Sequence, residues 1–153
     1  MKRHEILIPL SHQHHSLLIL SQLIKKDSPP YKNLPTELHD KRVYTLNKFR
    51  DEIVPHFEAE ELILIPFILG KNKRIDFLSE EIVGEHKKIS ELMELIRKEV
   101  DLEENLDKLG NLLSIHIRKE ERELFQLVQE VFSEEQLTKL LNQFSHLNKP
   151  QSC

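Results

Sequence analysis

Two short segments of this chain repeat one arrangement of residues that can bind a metal ion. The segment "HFEAEELILIPF" (56–67) places Glu60 four residues after His56, and "HIRKEERELFQL" (116–127) places Glu120 four residues after His116. On a helix, residues four apart lie on the same face, about 6 Å apart along the axis. Imidazole nitrogens and carboxylate oxygens together suit Fe, Zn, Mn or Cu. Each segment therefore predicts a helix that presents two metal ligands from one face.

Apolar residues surround these pairs in alternating steps of three and four, which is typical of helices whose inner faces pack together. Each predicted inner face is apolar except at one level, where it carries a histidine. His14 and His86 supply this histidine in two further helices. The four faces are Leu10, His14, Leu17, Ser21 and Ile24; Leu46, Phe49, Ile53, His56, Glu60, Ile63 and Phe67; Ile75, Ser79, Ile82, His86, Ile89, Met93 and Ile96; and Leu106, Leu109, Leu113, His116, Glu120, Leu124 and Leu127.

The same pattern predicts an all-α protein, an up-down-up-down four-helix bundle with a short fifth C-terminal helix. The expected helices span about 9–26, 37–69, 76–100, 102 or 105–132, and 133–147. Thr36 is predicted to cap the second helix, Gly70 to end it and Pro55 to kink it. The motif "SEEQ" (133–136) predicts a capping box for the fifth. Each hairpin carries a single histidine and then His-x-x-x-Glu, which is a weak internal repeat consistent with a pseudo-two-fold bundle.

Composition agrees with this fold and excludes several classes of protein. The 153 residues suit a single domain spanning 1–153, with an ordered core of about 6–145 and a frayed end. With a net charge of −4 and both signs interspersed, no basic patch indicates nucleic-acid binding. The longest apolar runs, such as "LILIPFIL" (62–69), fall well short of the roughly 20 residues that cross a bilayer. Cys153 is the sole cysteine, so we expect no internal disulfide and a cytoplasmic protein.

Taken singly, each of these residues has a simpler explanation. A lone histidine on an apolar face is more often a hydrogen-bonded core residue, and a His–Glu pair is more often solvated. Taken together, four histidines and two carboxylates on inner faces would be costly to bury, and no Lys or Arg lies near them on those faces. A bound cation offsets this cost. The predicted ligands are His14, His56, Glu60, His86, His116 and Glu120.

Other candidates lie beside this layer. His15 is a possible additional ligand or a group that orients one, whereas His12 is expected at the surface or rim. The carboxylates one step off the layer are expected to orient the site or to face solvent; they are Glu61, Glu85 and Glu121. Three further histidines fall outside the pattern; they are His4, His39 and His146.

Six inward ligands are too many for one tetrahedral structural zinc ion and suit two ions that share bridging carboxylates. Di-iron bundles of the ferritin type use Glu-x-x-His motifs and four carboxylates. Here the order is reversed, the spacing is four, and histidines dominate. The pattern therefore differs from that of ferritin.

The chain resembles the hemerythrin-like (HHE cation-binding) family in "PLSHQHHSLL" (9–18), "PHFEAEELILIP" (55–66), "GEHKKISEL" (84–92) and "HIRKEERELF" (116–125). This resemblance implies a four-helix bundle that holds two iron ions, bridged by two carboxylates and an oxo, hydroxo or water ligand. Zn or Mn could substitute for the iron. By position, the resemblance implies terminal ligands at His14, His56, His86 and His116 and bridging carboxylates at Glu60 and Glu120.

The chain departs from the oxygen-carrying hemerythrins in two places. Those proteins have five histidines, two of them four residues apart on the third helix, whereas here Ser90 and Ile82 flank His86 at that spacing. Their fourth-helix carboxylate is an aspartate five residues past the histidine, whereas this chain has Glu120 at four. A fifth nitrogen would come from His15 or His12, or water would take its place. These departures weigh against reversible oxygen carriage and leave metal binding intact.

The leading interpretation is a di-iron protein that binds or senses a small diatomic ligand such as O2 or NO, or peroxide, or that handles iron. One alternative is an enzyme that reduces peroxide or nitric oxide, or assists the repair of iron–sulfur centres; iron-dependent turnover would favour it. Another is a structural or partner-binding bundle, for which chelators would leave the melting temperature unchanged. The sequence leaves the native metal, the redox partner and the oligomeric state open.

Overall fold

The computed structural model describes residues 2–147, without the side chains of residues 146 and 147. Within this range the chain forms five helices and no strand, so the all-α prediction is confirmed. The tail predicted to fray, which contains Cys153, and the side chain of His146 lie outside the described residues. None of the helices in this range has the length and apolar character that crossing a bilayer requires.

Five helices follow one another along the chain. Helix α1 is Ile8–Leu23, preceded by a 3-10 turn at Glu5–Leu7. Helix α2 comprises the α-helical segments Leu38–Lys48, Val54–Ala59 and Ile65–Ile68, joined by π-helical turns at Phe49–Ile53 and Glu60–Leu64. Helix α3 is Lys73–Arg97. Helix α4 comprises Leu102–Lys119, a π-helical turn at Glu120–Leu124, and Phe125–Val131, and helix α5 is Glu134–Leu147.

Local signals explain most of the helix ends. The capping box is confirmed, because the backbone N–H of Gln136 donates to Ser133 Oγ (3.2 Å) and that of Ser133 donates to Gln136 Oε1 (2.9 Å). Gly70 has φ +88°, a left-handed conformation that suits glycine at a helix end, as predicted. The prediction of Thr36 as a cap is wrong: Glu37 occupies the cap position, and no side chain caps there. Asn72 caps α3 instead, its Oδ1 accepting from the N–H of Ile75 at 3.0 Å.

Prolines accompany both π-helical turns of α2. Pro55 and Pro66 each lie just after one of these π-helical turns, which are wider than an α-helical turn. Neither proline has an N–H to donate to the carbonyl four residues back. In the wide turn at Glu60, the N–H of Ile65 donates to the carbonyl five residues back. The turn at Glu120 has the same bond pattern without a proline. Two of the three wide turns thus begin at the two carboxylates predicted as ligands.

A wide turn holds one residue more than an α-helical turn, so it displaces the inner face by one position. The prediction that the regular spacing continues is therefore wrong beyond Glu60; beyond Glu120 it holds at Leu124 and fails at Leu127. The positions predicted to face inward but only half-buried are Leu46, Phe49, Ile63, Phe67 and Leu127. Between each carboxylate and the end of its helix, the buried positions are Leu64, Ile65, Ile68, Leu124, Phe125 and Val128. The inner faces predicted for α1 and α3, which contain no wide turn, are buried throughout.

The polar level divides the apolar core into two clusters. The first contains Leu10 of α1 and Ile82 of α3, whereas the second contains Leu17 and Ile89, on the other side of the histidine of each helix. Helices α2 and α4 pass from the second cluster to the first, in the opposite sense. Each of these four helices therefore meets the two clusters in the order opposite to that of the helix before it. Helix α5 covers the first cluster with its own apolar residues, Leu137, Leu140 and Phe144.

Helices α1 and α4 approach closely at Gly110. A Cβ atom added there would lie 2.6 Å from the backbone oxygen of Ser21, so only glycine fits without a shift of α1. One turn further along α4, Ser114 Oγ donates to Ser21 Oγ at 3.1 Å, and both residues are buried. These contacts set the separation of the two helices that carry His14 and His116.

Candidate metal centre

The six predicted ligands meet in one buried layer. Each is at most 3% exposed. Helices α1 and α3 contribute one histidine each, and α2 and α4 contribute a histidine and a glutamate each. Their ligand atoms form two groups, and within each group all atoms lie within 4.8 Å of one another: His14, His56, Glu60 and Glu120; and His86, His116, Glu60 and Glu120.

Both carboxylates belong to both groups. Glu120 extends one oxygen towards each side, with Oε2 at 2.8 Å from His14 Nε2 and Oε1 at 2.9 Å from His116 Nε2. Glu60 Oε1 lies 3.3 Å from His56 Nε2 and 3.2 Å from His86 Nε2. The layer therefore has the form of two histidine pairs with two carboxylates between them.

Every histidine of the layer is held by its outer nitrogen. In each case Nδ1–H donates to a side-chain oxygen outside the layer, which leaves the lone pair of Nε2 directed inward. Such outer partners fix the orientation and tautomer of metal-binding histidines. The four bonds are His14 to Glu121 (2.7 Å), His56 to Gln13 (2.5 Å), His86 to Glu61 (3.2 Å) and His116 to Glu85 (2.8 Å).

The inward atoms fit a cation and lack other partners. Both oxygens of Glu60, both oxygens of Glu120, and Nε2 of His86 and His116 are buried without a hydrogen-bond partner. The Nε2 atoms of His14 and His56 face each other at 3.1 Å. Because Nδ1 carries the hydrogen in both rings, the lone pairs of these two Nε2 atoms point at each other. Imidazole nitrogens and carboxylate oxygens so arranged form the donor set that transition-metal ions prefer.

In the metal-free layer, protons compensate part of the charge. Burial, reinforced by the charge of Glu120, raises the pKa of Glu60 well above its ordinary value. Burial opposes the charging of His116, but the negative charge of the adjacent Glu120 and the hydrogen bond to Glu85 outweigh it and raise the pKa of His116 to about 9. Burial and the charge of His116 lower the pKa of His86 to about 3. A metal ion would therefore compete with a proton at His116.

Two phenylalanines pack against the histidine rings. The ring of Phe57 stacks on that of His86 with centroids 3.7 Å apart and planes inclined by 14°. The ring of Phe125 stacks on that of His14 with centroids 5.6 Å apart and planes inclined by 11°. The two stacks restrict the ring planes and keep water from one face of each ring.

The remaining histidines with described side chains lie away from the layer. His15 is exposed and borders a surface cleft with Leu18 and Tyr31, so the structure does not bring this possible ligand to the site. His12 and His39 are exposed, as expected. His4 caps the 3-10 turn, its Nδ1 accepting from the backbone N–H of Ile6.

The outer partners were predicted in part. The sequence suggested that Glu61, Glu85 and Glu121 orient the site or face solvent, and all three accept a hydrogen bond from a histidine of the layer. Gln13 was missed. A signal for it existed, because Gln13 immediately precedes His14 just as Glu85 immediately precedes His86.

Comparison with protein families gives one result. The model of the Hemerythrin HHE cation binding domain matches residues 7–128, a range that contains the whole layer and its four outer partners. Comparisons with curated proteins and with solved structures gave no significant match.

Proposed function

This chain belongs to the hemerythrin HHE cation-binding family, and from that premise we propose that its polar layer holds a non-haem di-iron centre in an up-down-up-down four-helix bundle. The proposed role is to bind or sense a small diatomic molecule, O2 or NO, or peroxide, or to handle iron. The terminal ligands would be the four histidines of the layer. Glu60 and Glu120 would bridge the two ions.

One observation carries this proposal: both carboxylates are common to the two histidine pairs. A site for one ion would need only one of the pairs, and the other would remain buried without a partner. Two ions would use all six residues and would satisfy the atoms that have no hydrogen-bond partner. They would also offset the charge of the two buried carboxylates, which is costly to bury alone.

Each position offers two imidazoles and two carboxylates. Non-haem iron sites built from histidine and carboxylate ligands characteristically leave coordination positions open. When bound, the iron pair would supply these open positions and the ability to exchange electrons with a small molecule. The same donors would accept Zn or Mn as substitutes.

The surrounding residues shape access to this layer. A surface cleft of about 390 Å³ is bordered by Phe57, Glu61 and His86, so it reaches a predicted ligand directly. Elsewhere the two apolar clusters cover the layer and exclude water. This combination favours small molecules over bulky substrates.

Anaerobic reconstitution with Fe(II), followed by exposure to air, tests the proposal. We expect two irons per chain and near-ultraviolet absorption from an oxo bridge. Glu60→Gln should lose iron and the absorption, whereas Glu58→Gln, an exposed residue of the same helix, should retain both. A featureless spectrum with one iron or none in the unaltered protein would refute a di-iron centre. If the iron-loaded protein consumes peroxide and Glu60→Gln abolishes this activity, the protein would instead be an enzyme.

A further inference from the structure

The outer partners of the layer follow a pseudo-two-fold relation between the hairpins α1–α2 and α3–α4. Glu61 directly follows the carboxylate of α2 and accepts from His86 of the other hairpin. Glu121 directly follows the carboxylate of α4 and accepts from His14 of the other hairpin. These two partners are equivalent and chemically identical.

The other two partners are equivalent in position but differ in charge. Gln13 directly precedes His14 and accepts from His56, within its own hairpin. Glu85 directly precedes His86 and accepts from His116, within its own hairpin. The pseudo-two-fold relation predicts a carboxylate at the position of Gln13, where the chain has an amide.

Neighbouring charged residues do not cancel this difference in charge between the two histidine pairs. Near the His14–His56 pair, Arg3 pairs with Glu121 at 2.8 Å and offsets its charge. Near the His86–His116 pair, one lysine, Lys119, contacts both Glu85 and Glu81. The His86–His116 side therefore keeps an excess of negative charge, to which Glu61 adds.

A carboxylate partner raises the basicity of a ligating imidazole more than a neutral amide does, and negative charge nearby favours a cation. We propose that the two cation positions are unequal: the His86–His116 position binds its ion first and more tightly, and the His14–His56 position is the second, weaker and exchangeable one. Gln13 is the positioning residue that sets the difference. This inference rests on the proposed two-ion centre.

Sequential binding alone does not establish the inference. Two cations repel each other, so the second binds more weakly even when the two positions are identical. Repulsion does not decide which position fills first, because identical positions would share the first ion equally. The experiment must therefore locate the first ion.

Zinc alone serves as a diamagnetic probe of the metal-free protein. With ¹⁵N-labelled histidine, one equivalent of Zn²⁺ should shift the Nε2 resonances of His86 and His116, and the second equivalent those of His14 and His56. The exchange variant Gln13→Glu/Glu85→Gln keeps the net charge and should reverse this order. Each single change should alter the affinity of its own position by about 10–100-fold.

The controls separate charge from structural damage. In Glu85→Gln, Lys119 keeps Glu81 as a partner at 3.1 Å. Gln22→Glu adds the same charge at an exposed residue of α1 and should leave the order unchanged. Equal sharing of the first zinc, or an exchange variant that fills in the original order, would overturn the inference while leaving a two-ion centre intact. Binding of one zinc or none would overturn both.

Discussion

Replacing Gly110 by alanine should not stabilise the protein, although alanine is the better helix former. The added Cβ would lie 2.6 Å from the backbone oxygen of Ser21 and 3.1 Å from side-chain carbons of Ile24 and Lys25. The lysine side chain can move aside, whereas the backbone oxygen moves only with α1. Gly84 provides a matched control, because it lies in the interior of α3 and an added Cβ there meets nothing within 4 Å.

The two substitutions share one favourable contribution and differ in one unfavourable contribution. Alanine in place of glycine inside a helix stabilises by about 1 kcal/mol. Forcing an extra carbon into a tight contact costs roughly 1–3 kcal/mol. Gly84→Ala should therefore gain up to about 1 kcal/mol, and Gly110→Ala should range from neutral to a loss of about 2 kcal/mol.

Urea unfolding of both metal-free variants measures this difference. Zinc titration of Gly110→Ala adds a functional readout, since Ser21 lies two turns from His14 on α1 and a shift of that helix would move the histidine. We expect weaker binding at the His14–His56 position. If Gly110→Ala proves as stable as Gly84→Ala, the close approach of α1 and α4 does not constrain the fold.

Three further predictions follow from the layer and from a helix end. Chelation should lower the melting temperature of the metal-loaded protein, since metal at 100 times its Kd stabilises by about 2.7 kcal/mol; calorimetry of Glu60→Gln should show no such change. Metal-free protein should lose stability in urea as the pH rises from 6.5 through about 9, because folding raises the pKa of His116 and its stabilising proton then dissociates; a flat profile would contradict this. Ser133→Ala should cost about 1 kcal/mol of unfolding free energy by removing the cap of α5, whereas an unchanged urea midpoint would exclude that contribution.

The layer could be identified from the sequence because it depends on helical periodicity. In α1 and α3, the steps of three and four continue through His14 and His86 without interruption, and every position predicted to be inward is buried. In α2 the prediction holds from Ile53 to Glu60, and in α4 it holds as far as Leu124. It fails beyond them because a change in backbone hydrogen bonding adds a residue to the turn. Pro66 marks this change in α2, but no residue type marks it in α4.

The outer partners depended on which helices are neighbours. Gln13 bonds a histidine 43 positions away and Glu121 one 107 positions away, so spacing along a helix could not pair them. The position of His15 was equally open, since consecutive residues point about 100° apart around a helix and either could face inward. Packing against α4 turned His14 into the layer and left His15 in solvent.

By itself, then, the sequence determined an all-α chain with one polar level and the six residues that form it, because burial follows a period that local spacing reveals. Only the tertiary structure decided which histidines pair on each side of the two carboxylates and that Gln13 holds one of those histidines. Contacts of this kind are made between helices, and their partners are set by how the helices pack.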